Sequence, residues 1–512
     1  MADKLPDLND VNVATAFSKL GRLCGSRSFP RNIAADDSFR ALMGLAREMC
    51  DDKRLPAREL ANIIHAVSKM SAAGKLATDD AGVQSTLAAL EQRVVLVAAD
   101  MAPQGVSNTV YGFALLGWDP GPKARSALEV AVVRVAPDPD MVPQAVSNVM
   151  WALATLGWEP GAEARAALEA AVVSVAPDPD MAPQNVSNAM WASATLRWQL
   201  GFEARAALLA AVVRFAPGMK PQELSNTWWS FATRGWEPGA EARAVLEVAV
   251  VRAGLLMNAQ EAANTAWSFA TLGLMPGVQA WAALEVAVVR VARDMTPQEV
   301  ANSVLGFLTL AATRGAPLSA RYPALWRAAC GLSLHAFNVV VRSMLFQAYL
   351  IHTELVSGDV LDDVRFPPRI MHEARDAWML QARDEVKMTK SHKQIASILG
   401  DLGIVHEVER LTDDGYFSVD VYVPDNDVAL EFDGPTHFIA SAGVGGALDD
   451  APHTTRTMRT ELRDMFLARR HRVVLSVPWF EYAELNGKGA AEKSEYVATK
   501  LRAAGVSVPT AA

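Results

Sequence analysis

Three carboxylates near the C-terminus carry the pattern best suited to chemistry. Asp420 lies within Phe417-Ser418-Val419-Asp420-Val421-Tyr422-Val423, which alternates as a strand does, and Glu431 and Asp433 close the apolar run Val428-Ala429-Leu430-Glu431-Phe432-Asp433. Pro424-Asp425-Asn426-Asp427 between them is turn chemistry, so the two strands are predicted to be adjacent and antiparallel. Glu431 and Asp433, two residues apart, then face the same side. Converging carboxylates suit Mg²⁺, a hard cation that prefers oxygen ligands. Held by Asp420 and Glu431, with Asp433 as a third catalytic acid, such an ion would activate water for phosphodiester cleavage. His437, in Gly434-Pro435-Thr436-His437, either orients one of these acids or closes the strand.

The elements that must position these acids follow from the neighbouring sequence. Ser391 to Leu399 is helical in pattern, His406 to Glu409 is a short strand, Arg456 to Arg470 is a helix, and Arg472 to Pro478 is a buried strand. The predicted order is helix, three strands, helix, strand, a small α/β domain over residues 390–505. Its downstream helix carries Arg456, Arg459, Arg463, Arg469, Arg470 and Arg472, either an RNA contact or an amphipathic helix extending its charges into water.

Most of the chain is repetitive. Segments beginning at Met101, Met141, Met181, Met219, Met257 and Met295 are spaced by 40, 40, 38, 38 and 38 residues, a period that signals stacked repeats. In one copy, Pro143 suits a first helical turn and Gly157 with Pro160-Gly161 ends that helix. Ala164, Leu168, Ala171, Val172 and Val175 then form the apolar stripe of a second helix, broken at Pro177-Asp178-Pro179. Each repeat is therefore a helical hairpin that cannot bury its apolar faces alone, and neighbours must stack into an α-solenoid. Residues 1–100 hold divergent copies, residues 101–350 the regular ones, and roughly eight hairpins fill residues 10–350, with a helical connector over 351–389.

Two ladders recur in the repeats. Asn108, Asn148, Asn188, Asn226, Asn264 and Asn302 are followed three residues later, in most copies, by Tyr111, Trp151, Trp191, Trp229 or Trp267. Amides and aromatic rings could hydrogen-bond to and stack on bases. Groups fixed in every repeat also serve packing, the Asn satisfying loop backbone and the Trp filling the seam between hairpins. Positions that vary, such as Gly105, Ala145, Asn185 and Glu223, or Thr109, Val149, Ala189 and Thr227, are alternative readout sites. The second ladder, Arg134, Arg214, Arg252 and Arg290, ends the second helix, where a cation complements the helix dipole and could also meet phosphate. Arg165 precedes Glu169 by four, predicting a surface pair.

Composition bounds these readings. Hydrophobic residues make up 51% of the 512 and charged residues 21%, a globular balance. A net charge of −9 argues against a surface that grips phosphate everywhere, but leaves room for a local groove. Cys24, Cys50 and Cys330 are too scattered for a disulfide framework, and no stretch is apolar enough for a membrane span. The first ten residues are acidic, without the marks of a targeting peptide, so a cytosolic location stays open.

The C-terminal order, with Asp and Glu at these strand positions, resembles the PD-(D/E)xK nuclease fold, whose motif places Lys where this chain has Asp433. Ser391-His392-Lys393-Gln394-Ile395, Asp420-Val421-Tyr422-Val423, Glu431-Phe432-Asp433-Gly434-Pro435-Thr436-His437 and Val473 to Phe480 resemble a RAP domain. The upstream Pro-Gln-x-x-Ser-Asn-x-x-Trp-Ala signature resembles octotricopeptide repeats. The resemblance implies a sequence-selective factor in the chloroplast or mitochondrion that binds single-stranded RNA, alone or with other proteins of an RNA-processing complex. It would support RNA stability, processing, splicing or translation, with no cofactor required. The RNA-contact candidates are the six Asn, the four ladder Arg, His437, Arg459 and Arg463. A Mg²⁺-dependent RNA or DNA endonuclease and a protein-interaction scaffold are the alternatives.

Overall fold

A computed structural model describes residues 8–319, 321–332, 337–356, 368–384, 389–438 and 455–508. The connector expected over 351–389 lies partly outside these residues, and its described part is the helix Pro368–Asp384. The chain divides into two compact units, Met1–Ser230 and Phe231–Ala512.

The first unit is built of helical hairpins, as the period predicts. Ala57–Ala72 pairs with Ala81–Val97, Pro103–Leu116 with Pro122–Val135, Pro143–Thr155 with Ala162–Val175, and Pro183–Thr195 with Phe202–Phe215. Leading helices pack on leading helices and trailing on trailing, giving two layers with a continuous core between them. The predicted stripe of Ala164, Leu168, Ala171, Val172 and Val175 is buried throughout. The methionines that open the repeats are buried anchors, among them Met101, Met141 and Met181. Close approach of leading helices needs small residues. A Cβ on Gly112 would come within 2.6 Å of Ile64 Cγ2.

Each leading helix stops where its backbone turns left-handed. Gly157 has φ +58°, and Trp158 then donates its amide to Leu153 O at 2.9 Å, satisfying an end carbonyl. Arg197 holds the same place in its own repeat at φ +51°, a conformation costly for a residue with a Cβ.

A recurrent clasp joins successive hairpins. Glu129 on one trailing helix accepts from Trp158 Nε1 at 2.7 Å and from the Gly161 amide at 3.2 Å in the next repeat. Glu91 does the same with Trp118 and Gly121, and Glu169 with Trp198 and Gly201. One carboxylate thus holds both the buried indole and the start of the following trailing helix. This corrects the predicted pairing of Arg165 with Glu169: Glu169 reaches forward to the next repeat, while Arg165 donates to Pro160 O at 2.8 Å and lies 3.5 Å from Glu159. In the second unit Arg243 and Glu247 do form the four-residue pair, at 2.7 Å.

The second unit continues with Ala259–Leu272, Val278–Val291, Pro297–Arg314, Pro323–Gly331 and Val339–Leu350, then carries the sheet domain. Four strands lie in sequence order: β1 Glu407–Leu411, β2 Ser418–Val423, β3 Val428–Asp433 and β4 Val473–Pro478. The first three are antiparallel neighbours, and β4 joins β3 in parallel. Ile395, Leu399, Val421, Val423, Leu430, Val497 and Leu501 form its core, so helices Lys390–Asp401 and Ala490–Ala503 cover one face. Helix Met458–Leu467 covers the other through Arg463, which reaches Glu431. The order is as predicted, but β4 is an edge strand, mostly half-buried rather than buried.

Candidate functional site

Pairing of Val421 with Leu430 places Asp420 opposite Glu431, and both acids meet as expected. Asp420 Oδ2 accepts the Phe432 amide at 2.7 Å, and Glu431 Oε1 lies 3.3 Å from the Asp420 amide. Glu431 is 3% exposed and Asp433 1%. Such burial demands partners, and arginines supply them. Arg463 binds Glu431 Oε2 through Nε at 2.9 Å and Nη2 at 2.7 Å, and also donates to Ser418 O. Arg456 binds both Asp433 and Asp464, while Ser476 donates to Asp433. His437 brings Nδ1 to 2.9 Å from Asp433 Oδ1, so it accompanies an acid.

The protonation balance follows from these contacts. Burial pushes the Glu431 carboxyl up to about 8, with Asp420 adding to the rise and Arg463 opposing it. For Asp433, burial also pushes upward, but bonds from His437 and Ser476 and the charge of Arg456 hold it below its ordinary value. A cation therefore does attend these acids although position 433 carries no Lys. Arg463 comes from helix Met458–Leu467 and Arg456 from the residues just before it.

Asp420 faces a second group that spacing does not reveal. His392 places Nδ1 2.7 Å from Glu409 Oε1 and Nε2 3.4 Å from Asp420 Oδ2. These three residues offer ligand atoms within 4.8 Å of one another, a set that could hold a divalent cation. Glu409 takes φ +52° inside β1, a left-handed conformation for a residue with a Cβ. His392 was visible only as part of a helical segment, and Glu409 only as a strand residue.

The helix expected over Arg456 to Arg470 is shorter, Met458–Leu467, so of the six arginines only Arg459 and Arg463 lie on it. Besides Arg456 and Arg463, Arg470 binds Glu354 at 2.8 and 2.9 Å and Asp414 at 2.6 Å, and Arg472 donates to Asn426 O and Ala504 O. Arg456, Arg463 and Arg470 are half-buried against these partners, whereas Arg472 is exposed. Arg459 and Arg469 are exposed.

In the repeats, the aromatic ladder forms a row on the leading helices. Successive ring centroids are 6.5 Å apart for His65 and Tyr111, 5.2 Å for Tyr111 and Trp151, and 6.4 Å for Trp151 and Trp191. All four are half-buried. Trp158 and Trp198, which the clasp holds, are buried between hairpins, while Trp151 lies between Tyr111 and Trp191 of the two adjoining repeats. Asn108, Asn148, Asn188, Asn226 and Asn264 are half-buried, and their amides bond to no loop among the described residues. Asn302 accepts from Gln298 at 2.9 Å.

Other expected readout positions are closed off. Thr109, Thr227 and Thr265 are 0% exposed and donate back to their own helix, and Val149 and Ala189 are buried. Ala145 is buried, Asn185 bonds Ser147 at 3.0 Å, and Glu223 accepts the Lys220 amide at its helix start. Those positions vary because each solves a local packing or capping problem. The arginine ladder also acts internally: Arg134 donates to Met101 O, Arg290 to Met257 O, and Arg214 to Pro177 O at 3.2 Å, tying each trailing helix to the loop that opens its own repeat. Arg252 holds the same place in the last turn of its helix.

No protein-family model matches the chain, and no curated protein matches it. Among solved structures, an engineered protein crystallised by a structural genomics consortium is 11% identical over 72% of this chain and 98% of its own, with a TM-score of 0.19. That score carries no argument about the fold. No described helix is long and apolar enough to cross a membrane.

Proposed function

We propose that the chain is a non-cleaving, sequence-selective binder of single-stranded RNA, an octotricopeptide-repeat-like protein with a RAP-like domain acting in organelle gene expression. The observation that carries this reading is the row of His65, Tyr111, Trp151 and Trp191, half-exposed and flanked by Asn amides that bond to no other described residue. Rings at this spacing offer stacking faces to unpaired bases, and each free amide offers a donor and an acceptor to a base edge. The ladder arginines serve the hairpins, so binding rests more on stacking than on phosphate neutralisation.

The nuclease reading is weaker because Glu431 and Asp433, the acids expected to do chemistry, are already bound by Arg463 and Arg456. Binding of labelled single-stranded RNA to the full chain, measured at two salt concentrations, tests the proposal. Expected is affinity for single strands over duplex, with a salt dependence shallower than a phosphate-gripping protein shows. No binding at low salt overturns it. Protein partners recovered equally well after ribonuclease treatment would favour a scaffold, and cleavage with Mg²⁺ that Asp420→Ala abolishes would favour the nuclease.

A further inference from the structure

The second unit contains a cleft of about 390 Å³ where its last repeats meet the sheet domain. Trp267, Gln347, Trp378 and Gln381 line it from the helical side, and Tyr416 and Arg459 from the side of the sheet domain. The walls are fixed to each other by ion pairs. Arg314 binds Glu461 at 2.7 and 3.1 Å, and Arg470 bridges Glu354 and Asp414.

The lining is chemically selective. The chain carries 57 acidic residues, yet no Asp or Glu is among the described residues lining this cleft, while Arg459 is, beside Arg463, whose guanidinium is held by Glu431. That favours an anion, because an acidic neighbour would repel it at short range. The lining includes an aromatic bed of Trp378, Tyr416, Phe417 and Phe466, with Trp378 edge-on to Phe417 at 5.8 Å and Phe417 stacked on Phe466 at 5.2 Å. Aromatic rings favour a flat ring as their partner, stacked or edge-on, and Gln347 and Gln381 supply amides for its polar edge. Trp267 stands three residues after Asn264, the place Trp151 holds after Asn148, so a ladder residue is also a wall of the cleft. The volume lies within the roughly 300–1,000 Å³ typical of small-ligand sites. Anionic, flat and polar-edged together describe a nucleotide better than an acidic peptide, which lacks the ring.

We propose that this cleft binds one nucleoside-monophosphate unit of the RNA strand, its base against the aromatic bed and its phosphate towards Arg459. This rests on the RNA-binding reading above and adds to it a defined pocket for a single unstacked nucleotide.

The test titrates AMP and adenosine into the full chain, followed by calorimetry and tryptophan fluorescence, with single-stranded RNA then added to displace a fluorescent AMP analogue. Expected is saturable AMP binding, weaker binding of adenosine, and displacement by RNA. Arg459→Glu should weaken AMP about tenfold or more, the size of a lost charge-assisted contact, while leaving adenosine little changed. Gln347→Trp, which fills the cleft from a half-buried position, should block both and guards against misfolding of any one variant. Absence of saturable AMP binding, or binding unaltered by both variants, overturns the cleft even where RNA still binds the ladder. AMP that binds but is not displaced by RNA overturns the strand as its source. An acidic peptide that displaces AMP as well as RNA does overturns the choice of a nucleotide.

Discussion

Arg463 closes on Glu431 from a helix 32 residues downstream, with Nε at 2.9 Å and Nη2 at 2.7 Å of one carboxyl oxygen. The contact turns a catalytic-looking acid into a buried structural group. It also anchors helix Met458–Leu467 on the sheet.

Titration of Glu431 should make stability depend on pH. Its carboxyl is held up to about 8 in the folded chain against an ordinary 4.5, so the folded state binds a proton that the unfolded state has already released. The stabilisation this provides is complete below about 4.5 and is lost as pH rises through about 8. Thermal unfolding of wild type and Glu431→Gln at pH 5 and pH 8.5 checks this. The wild type should lose stability relative to the variant across that interval, and parallel profiles would refute the assignment.

The clasp between repeats should be a larger stability element than the surface ion pairs. Glu169→Ala leaves both Trp198 Nε1 and the Gly201 amide without their acceptor, and Trp198 is 2% exposed. A cost of about 1–3 kcal/mol is expected in urea unfolding. Arg165→Ala, which removes a 3.5 Å contact to exposed Glu159 and a hydrogen bond to Pro160 O, should lose about 1 kcal/mol. Equal costs would mean the clasp is incidental.

Two tryptophans seven residues apart should separate binding from folding. Trp158 is 3% exposed, and Trp158→Ala should cost about 3–5 kcal/mol of stability. Trp151→Ala, at a half-buried ladder position, should cost less stability but weaken RNA binding by about 1–3 kcal/mol. Affinity measured beside denaturation distinguishes them. A Trp151→Ala protein that binds RNA as well as wild type would remove the ladder from the interface.

Much of the architecture was legible because its causes are local. The hairpins follow from prolines at helix starts, glycines at left-handed ends and apolar residues at helical spacing, all within one 38–40-residue unit. The strand order and the facing of Asp420 and Glu431 follow from alternation and a turn. Roles were less legible where two residues of one type have different surroundings. Trp151 and Trp158 look alike in sequence, yet one lies in the half-exposed row and the other in the clasp of the preceding repeat's Glu129.

Sequence alone determined that the chain repeats, where each hairpin begins and ends, and which strands carry the acids, because propensity and periodicity act over a few residues. Tertiary structure decided which acids are taken by arginines, that His392 and Glu409 flank Asp420, and that Trp267 and Arg459 line one cleft. Those partners are separated by tens to hundreds of residues. No local spacing encodes them, because each contact exists only once helix and sheet have packed and excluded water.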